Sequence, residues 1–364
     1  MKPYSENHRF PRLLLYLIYC LCVAGVLLLF TVKNYESFDG IKNLRGFDGF
    51  RRARFPDMIY GKAYKPWVFR ALLPITVRSL TYLVPDPIKA KAINYAHESI
   101  TINETLGWDP DYFPEYVIAL LVMFLSLLGF VFALRSLFSE NFESPVIVKD
   151  LIPVFALLGL PVFFKYYSYI YDFPTLFFFT LGLALIVRNR WYFYYPVFIL
   201  GCINKETTIL LTVIFAIHSF KNGENRIRIA GHVSLQCLIF FMIKFLLMFI
   251  YKDNPGWFVC SGVWFLSRNM QKIAMLYTVP NLVCYMVIAF LIFYHWSSKP
   301  AFLKQGLWII IPLVLLAMYM GYVDELRDYY EIYPIVFLLM THSIGDILDL
   351  KIRTIKRSDQ RAKK

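Results

Sequence analysis

Charged residues are scarce in this 364-residue sequence, and their scarcity is the first guide to its class. Lysine, arginine, aspartate and glutamate make up 17% of the chain. A soluble domain carries about a quarter. Hydrophobic residues make up 58%, and the net charge of +13 is spread between apolar segments, so it does not indicate a nucleic-acid partner. The composition predicts a polytopic membrane protein in contact with a lipid bilayer.

The sequence also lacks the motifs of several enzyme and transport classes. It contains no GxxxxGK[ST] phosphate loop, no GxGxxG fingerprint, no HExxH zinc motif and no GxSxG nucleophile elbow. Its six cysteines are scattered without a CxxC pair, so neither a disulfide framework nor a zinc site is indicated. ATP-driven transport and zinc- or serine-dependent hydrolysis therefore lose support.

Long apolar runs predict an all-α polytopic membrane protein with about ten transmembrane helices, in a single domain over residues 1–364. The first run has no small-residue cleavage site after it, so it predicts a retained anchor rather than a signal peptide. Three runs are short for a bilayer of ~30 Å, but short pieces are tolerated where protein shelters them. The predicted spans are 13–32, 115–137, 151–164, 173–187, 192–203, 207–220, 229–251, 279–297, 306–323 and 332–349.

Lysine and arginine in the loops predict the orientation, because they are enriched on the cytoplasmic side of a membrane. With the N-terminus in the cytoplasm, the cytoplasmic segments hold 19 basic residues and the short outer loops hold six. Both termini are therefore predicted to be cytoplasmic, in a plasma or inner membrane if the source is bacterial. Residues 351–364 form a basic cytoplasmic tail, and residues 33–114 form a long first extracytoplasmic loop.

The middle of the first loop, at 66–80, is apolar except for Arg70 and Arg78, which lie eight residues apart. Eight residues are just over two helical turns, so both arginines would share one face of a helix. The pattern predicts an amphipathic helix in the membrane surface. Loops of this length are usually functional.

Two aspartates of the first loop, Asp39 and Asp48, each stand in a Phe-Asp-Gly triplet. Asp-Gly is a turn signal, because aspartate caps its own backbone and glycine tolerates positive φ. A structural turn is one interpretation. The other is that one of these aspartates is a general base, which takes a proton from an acceptor hydroxyl.

Three charged blocks interrupt the apolar sequence, and the predicted topology places all of them on the extracytoplasmic side. They centre on Asp172, on Lys205-Glu206 and on residues 324–328. Ionisable residues near hydrocarbon are functional-site candidates by default. We therefore expect the blocks to converge into a site for a charged or polyhydroxylated substrate.

The first two blocks also have structural interpretations. Asp172 would cap the helix that Pro174 begins, or hold a polar substrate there. Lys205 and Glu206 would form an ion pair with each other in a turn. Alternatively, the lysine would bind a phosphate oxygen, for which its compact cation with three donors is suited.

The third block continues to Glu331 and allows the same two interpretations. In a helix that begins here, Arg327 would pair with Asp324 and Glu331, which lie about one turn away on either side. Alternatively, Arg327 would clamp a phosphate or diphosphate in bidentate fashion. The carboxylates of this block, including Glu325, would then fix its orientation.

The order of these segments resembles the GT-C superfamily of membrane glycosyltransferases, which use polyprenyl-phosphate sugars, and the mannosyltransferase-like members in particular. The resemblance rests on a single first span and on four later features: Phe47-Asp48-Gly49, the surface helix near Pro66-Trp67, Tyr171-Asp172-Phe173-Pro174 and Asn204-Lys205-Glu206-Thr207.

The resemblance implies an inverting sugar transfer on the extracytoplasmic face, to a glycan, lipid or protein acceptor. Asp48, with Asp39 as competitor, would be the catalytic base. Arg51, Arg52 and Arg54 crowd Asp48, and their charge would lower its pKa and weaken it as a base. Basic residues would hold the donor phosphate, and acidic residues would bind substrate or organise the site. The first group is Lys205, Arg70 and Arg327; the second is Asp172, Glu206, Asp324, Glu325 and Glu331.

Two alternatives and the question of a metal stay open. One alternative is a non-catalytic flippase or transport subunit for lipid-linked sugars or polysaccharide, although the sequence lacks the paired repeats typical of transporters. The other is a polysaccharide polymerase or ligase with arginine-led chemistry. Some GT-C members use Mg or Mn, but no ligand set for a divalent metal emerges from the sequence.

Overall fold

The computed structural model describes residues 12–32, 34–36, 42–45, 51–165, 169–256, 262–276 and 278–355. Fifteen α-helices lie in the described chain. They are α1 (Arg12–Val32), α2 (Phe55–Ile59), α3 (Leu72–Leu83), α4 (Asp86–Glu98), α5 (Phe113–Asn141), α6 (Val146–Gly159), α7 (Asp172–Arg188), α8 (Trp191–Asn204), α9 (Leu210–Lys221), α10 (Arg226–Ile250), α11 (Gly262–Leu276), α12 (Val279–Phe293), α13 (Ala301–Gly306), α14 (Ile310–Met320) and α15 (Tyr333–Ile347).

The remaining regular structure is short. Strand β1 (Asn34–Glu36) pairs antiparallel with β2 (Lys42–Arg45), and β3 (Phe142–Glu143) pairs antiparallel with β4 (Arg353–Thr354). A π-helical turn covers Thr101–Leu106. Short 3₁₀ turns lie at Arg51–Ala53, Trp67–Phe69, Pro110–Tyr112, Leu160–Lys165, Glu206–Ile209, Trp296–Ser298, Leu307–Ile309 and Leu326–Tyr329.

The prediction of a helical membrane protein is confirmed, and the count of ten spans is not. Five helical segments of the described chain are long and apolar enough to cross a membrane: Arg12–Val32, Pro110–Asn141, Val146–Phe164, Arg226–Ile250 and Ala301–Met320. Two shorter apolar helices are α12 and α15. Helices also occupy the other predicted spans, but α8 and α9 have 14 and 12 residues. Ten spans therefore stay a prediction.

Helix α7 is the centre of the bundle, because most of its residues are buried and it packs against α5 and α8. A helix that is apolar all round belongs in a core. Glycines allow its neighbours to come close. A Cβ added to Gly129 of α5 would lie 2.7 Å from the Phe177 ring, and one added to Gly182 would lie 2.5 Å from Leu211.

The predicted amphipathic helix at 66–80 is interrupted, and this corrects the sequence interpretation. A 3₁₀ turn ends at Phe69 and α3 begins at Leu72, so Arg70 lies in the break. Pro74 lacks the N–H that would bond the carbonyl of Arg70, and a proline is tolerated where it stands, in the first turn of α3. Arg70 and Arg78 therefore do not share a helical face. The Arg70 side chain is largely buried, and Arg78 is exposed.

Helix α11 lies within a stretch for which the sequence predicted only a loop. Asn269 joins it to the end of α14: its Nδ2 donates to the carbonyls of Ala317, Met318 and Gly321 at 3.0–3.1 Å. Its Oδ1 accepts from the N–H of Val323. One amide side chain thus satisfies the carbonyls that a helix C-terminus leaves without partners.

The bundle has two ends that differ in chemistry. The end where α7 and α15 begin and α8 ends is called the loop end. The end where α7, α9 and α15 end, and where β4 lies, is called the tail end. The predicted basic tail, 351–364, is described as far as residue 355, and its first residues fold back as β4 onto β3.

Candidate functional site

The three charged blocks meet at the loop end, together with Arg70 from the first loop. Ion pairs and ring contacts between residues far apart in sequence hold them together. We call this group the charged cluster. It consists of Arg70, Tyr169, Tyr171, Asp172, Lys205, Glu206, Glu325, Arg327 and Glu331.

Arg70 reaches the cluster because the helix is broken at its position. The Ala71 N–H donates to the carbonyl of Ile203, which fixes the break against the end of α8. The guanidinium then pairs with Glu206 at 2.9 Å and hydrogen-bonds the hydroxyl of Tyr171. Its carbon also lies 4.4 Å from the centroid of the Tyr171 ring, within the range of a cation–π contact.

Lys205 pairs with Glu331 and not with its neighbour Glu206, which corrects the predicted local pair. Lys205 Nζ lies 3.1 Å from Glu331 Oε1, and both side chains are buried, with 3% and 0% exposed. Thr207 donates a hydrogen bond to the same carboxylate oxygen. The backbone at Lys205 is extended, with φ −155 and ψ 141, and successive side chains of extended chain point to opposite sides. The two neighbours therefore take different partners.

Arg327 also has partners other than the predicted ones. Its Nη2 donates to Glu325 Oε2 at 2.8 Å, and its Nη1 lies 3.9 Å from Asp328. Asp324 instead pairs with Lys272 of α11 at 2.8 Å. Residues Leu326–Tyr329 form a 3₁₀ turn rather than the first turn of an α-helix, so the expected one-turn spacing to Glu331 is lost.

Asp172 is the first residue of α7 and closes the turn before it. Its Oδ2 accepts from the N–H of Tyr169 at 2.8 Å, while its Oδ1 is buried with no hydrogen-bond partner among the described residues. Asn204, at the end of α8, donates to the Tyr171 carbonyl and to Thr175 Oγ1. The predicted helix cap is therefore wrong, because Tyr171 is the N-cap residue of α7 and the Asp172 carboxylate bonds an N–H that precedes the helix. The Oδ1 atom of Asp172 stays available to a ligand.

The basic side chains of the charged cluster stay ionised despite their burial. Burial lowers the pKa of Lys205, but Glu331 and Asp328 outweigh it, so the pKa of Lys205 is raised above its ordinary value. Burial is likewise outweighed at Arg70, where Glu206 and Tyr171 raise the pKa. At Arg327, Glu325 and Asp328 raise the pKa well above its ordinary value against the same burial. The cluster therefore keeps its cations at every physiological pH.

The pKa values of Glu206 and Glu325, the two glutamates that pair with arginines, are shifted in opposite directions. Burial would raise the pKa of Glu206, but Arg70 and Lys244 bring it well below its ordinary value. For Glu325, burial prevails over Arg327 and raises the pKa. Glu206 is therefore a fixed anion, whereas Glu325 is the carboxylate of this pair that takes up a proton more readily.

Several charged donors of the cluster have no hydrogen-bond partner among the described residues. They are Arg70 Nε and Arg327 Nε, together with Lys205 Nζ and Arg327 Nη1, whose contacts with Glu331 and Asp328 at 3.1 and 3.9 Å are ion pairs without a hydrogen bond. Lys244 Nζ of α10 also lacks a hydrogen-bond partner among the described residues. A buried donor without a hydrogen bond lowers the stability of the folded state by about 1–3 kcal/mol, and by more when the donor is charged. Oxygens of an anionic ligand would satisfy these donors. The arrangement is suited to binding a phosphate or diphosphate.

Two tyrosines of the cluster were not predicted from the sequence. The Arg327 guanidinium carbon lies 4.5 Å from the centroid of the Tyr169 ring, and the rings of Tyr169 and Tyr171 stack at 5.2 Å. Each arginine thus rests on one tyrosine of a stacked pair. The aromatic residues just before Asp172 were the available signal.

The predicted catalytic aspartates Asp39 and Asp48 lie outside the described residues. Within the described ranges, no group of three or more His, Cys, Asp or Glu side chains is placed to hold a metal ion. The choice of base and the use of Mg or Mn therefore stay predictions.

No protein-family model, curated protein or solved structure matches this chain. The resemblance to the GT-C superfamily accordingly stays a prediction.

Proposed function

We propose that this protein is a GT-C-type membrane glycosyltransferase, which moves a sugar with inversion from a polyprenyl-phosphate-linked donor to an acceptor on the extracytoplasmic face. The observation that carries the proposal is the set of buried cationic donors on Arg70, Lys205 and Arg327 that make no hydrogen bond to the described residues, at one end of a membrane bundle. Such donors match a ligand whose anionic group is held at the membrane surface by its own lipid.

The chemistry of sugar transfer fits these donors. As the glycosidic bond to the carrier breaks, negative charge grows on the departing phosphate oxygen. Preorganised cations in a site with little water stabilise that charge without reorganising at the moment of reaction. A donor fixed by its lipid, next to a bound acceptor, also removes much of the entropy cost of bringing the reactants together.

Individual roles follow from the contacts. Lys205 and Arg327 would bind phosphate oxygens, and Arg70 would contribute its free Nε. Glu331, Glu206 and Glu325 hold the three cations in place through their ion pairs. Asp172 would accept from a sugar hydroxyl through Oδ1, the oxygen without a partner. Asp324, paired with Lys272, would steady the same turn.

The first test measures donor binding in nanodiscs that contain the purified protein. A panel of polyprenyl-phosphate sugars is scored by the increase in melting temperature that each donor causes. We expect one donor to stabilise the wild type and the control Lys252→Ala, which removes an exposed lysine after α10. Lys205→Ala and Arg327→Ala should abolish the shift. No shift with any donor in folded wild-type protein would contradict the proposal.

The second test concerns the base. Asp48→Asn should abolish transfer but keep donor-dependent stabilisation, because the amide cannot take a proton whereas the donor phosphate site is intact. Asp39→Asn is the companion variant. Asp86→Asn, which removes an exposed carboxylate at the start of α4, is the matched control and should leave transfer unchanged. Full transfer in both Asp48→Asn and Asp39→Asn would exclude these two aspartates as the base.

A polysaccharide polymerase or ligase is a second candidate, because two buried arginines, Arg70 and Arg327, each lie over a tyrosine ring in the same cluster. Such an enzyme would lose activity in Arg327→Ala while keeping it in both aspartate variants. A flippase subunit would bind the lipid-linked sugar without transferring it in any assay.

A further inference from the structure

A second candidate site lies at the tail end of the bundle, in an open cavity of about 710 Å³. Cavities that bind small molecules have roughly 300–1,000 Å³. The ends of α5, α7, α9 and α15 surround the cavity, together with the chain around α13 and strand β4. The 17 residues of α7 separate it from the charged cluster by about 25 Å, at 1.5 Å per residue.

The polar wall of the cavity is basic. It carries Lys299, Lys304 and Arg353 against one carboxylate, that of Asp346. The Lys299 ammonium is already engaged, because it donates to the Leu339 carbonyl and to Ser343 Oγ at 2.6 Å. The two remaining cations are the ones that can reach a ligand.

Lys304 and Arg353 differ in how they are held. Lys304 Nζ donates to the carbonyls of Trp296 and Ser297 at 3.2 and 3.3 Å, which leaves one of its three protons. The backbone of Arg353 is fixed by pairing with Glu143 in the β3–β4 ladder. The Arg353 side chain is exposed in the cavity lining, and its guanidinium forms no ion pair or side-chain hydrogen bond with the described residues, so its five donors can reach a ligand.

The carboxylate of Asp346 faces histidines rather than these cations. Its Oδ2 lies 3.2 Å from His295 Nδ1 and 3.8 Å from His342 Nδ1. His342 is 2% exposed, and its Nδ1 has no hydrogen-bond partner among the described residues. Asp346 therefore lies against the two imidazoles and forms no ion pair with Lys304 or Arg353.

Apolar side chains also line the cavity, among them Val187, Phe302 and Ile352. A cavity lined by two cations that form no ion pair with the described residues, and by apolar side chains, suits a ligand with an anionic and an apolar part. Arginine binds a phosphate through two parallel hydrogen bonds, and lysine adds a point charge.

We propose that this cavity binds the phosphate group of a small amphiphilic phosphate ester, with Arg353 and Lys304 on the phosphate and Phe302 against its apolar part. The same chemistry occurs in the headgroup of an anionic membrane lipid and in a soluble phosphate ester. The site is independent of the glycosyltransferase proposal, because it shares no side chain with the charged cluster.

The test uses two probes on the intact protein. Phenyl phosphate is titrated calorimetrically into protein in phosphatidylcholine nanodiscs, and native mass spectrometry counts phosphatidic acid retained from mixed nanodiscs. Binding of phenyl phosphate would identify a soluble ester as the ligand source, and retention of phosphatidic acid alone would identify a lipid headgroup. Absence of binding by both probes would overturn the proposal.

Charge variants decide whether the binding occurs in this cavity. Arg353→Gln and Lys304→Gln should each weaken the responding probe about tenfold, the loss expected for one charge-assisted hydrogen bond. Arg353→Lys should recover part of it. The control Arg190→Gln removes an exposed arginine at the same end of the bundle and outside the cavity. If Arg190→Gln weakens binding as much as Arg353→Gln does, the attraction is a general charge effect and the site is disproved.

Discussion

The two ends of the bundle hold ion pairs of similar length in different surroundings. Lys205 and Glu331 at the loop end lie 3.1 Å apart with side chains 3% and 0% exposed, whereas Arg188 and Glu140 at the tail end lie 2.8 Å apart with 41% and 33% exposed. In water, the attraction of the second pair is largely offset by solvation and side-chain entropy. In the interior, breaking a pair leaves a buried charge. Distance alone therefore does not rank the two pairs.

The ends also differ in what their ion pairs connect. Arg70 and Glu206 are 136 residues apart in the chain, and the Lys205 pair joins α8 to the turn before α15. At the tail end, Arg135 and Asp150 are 15 residues apart and Arg188 and Glu140 are 48 apart. The Arg70 and Lys205 pairs thus connect distant parts of the fold, whereas the Arg135 and Arg188 pairs connect segments closer in the chain.

The largest effect is expected from Glu331→Ala, which leaves Lys205 buried without its carboxylate. We expect a loss of about 3–5 kcal/mol in the free energy of unfolding, measured by denaturant titration in detergent. Glu140→Ala is the exposed counterpart and should cost at most about 1 kcal/mol. Equal losses in the two variants would show that burial does not distinguish the ends.

A paired replacement sharpens the same comparison. Lys205→Met combined with Glu331→Leu removes both charges and fills the space with apolar atoms, so most of the stability lost in Glu331→Ala should return. Donor-dependent stabilisation should not return. A stable double variant that still responds to the donor would remove Lys205 from the phosphate site.

A smaller functional effect is expected from Arg327→Lys. The charge is kept, but lysine cannot present two parallel N–H groups to a phosphate. We expect donor affinity to fall about tenfold, which corresponds to ~1.4 kcal/mol. The measurement is donor titration in nanodiscs, with melting temperature as the check on folding. An unchanged affinity would mean that Arg327 acts as a point charge at most.

The next effect concerns uncharged side chains. Asn204→Ala removes the donor to the Tyr171 carbonyl and to Thr175 Oγ1, both buried, and should cost about 1–3 kcal/mol in unfolding free energy. Asn222→Ala at the tail end removes a hydrogen bond to His218 from a half-buried position and should cost about 1 kcal/mol. A larger loss of unfolding free energy in Asn222→Ala than in Asn204→Ala would contradict the stronger effect expected at the buried loop end.

The smallest effect is a pH dependence at the loop end. Because the pKa of Glu206 is well below its ordinary value of 4.5, its pair with Arg70 adds stability above about pH 4.5 and loses it as the pH falls further. The Glu206 side chain is 41% exposed, so water reduces the effect. Melting temperatures of wild type and Glu206→Gln should differ at neutral pH and converge in acid. A constant difference in melting temperature across this pH range would contradict the lowered pKa of Glu206.

Apolar length and charge interruption were sufficient to predict most of the helices and the segments that form the charged cluster. Helix α11 was missed because Arg268, Asn269 and Lys272 interrupt its apolar pattern, and the partner for this polar face is the end of α14. A partner that lies 48 to 54 residues away along the chain leaves no local signal.

The pairing within the cluster could not be predicted from spacing for a similar reason. The expected pairs assumed helical geometry at 324–331 and a closed turn at Lys205, whereas the chain forms a 3₁₀ turn and an extended link there. These local conformations depend on tertiary contacts. The helix break at Arg70 was easier to predict from the sequence, because Pro74 has no N–H to bond the Arg70 carbonyl and so cannot extend the helix through Arg70.

The extended link at Lys205-Glu206 sets a limit on how this part of the chain can change in length. One peptide bond separates the residue that binds Glu331 from the residue that binds Arg70. A substitution at either position breaks one connection, but an insertion or deletion of a single residue shifts the alternation of side chains and breaks both. The link should therefore tolerate point changes at one position and reject any change in length, which a scan of one-residue insertions between α8 and α9 would measure as an abrupt loss of folded protein.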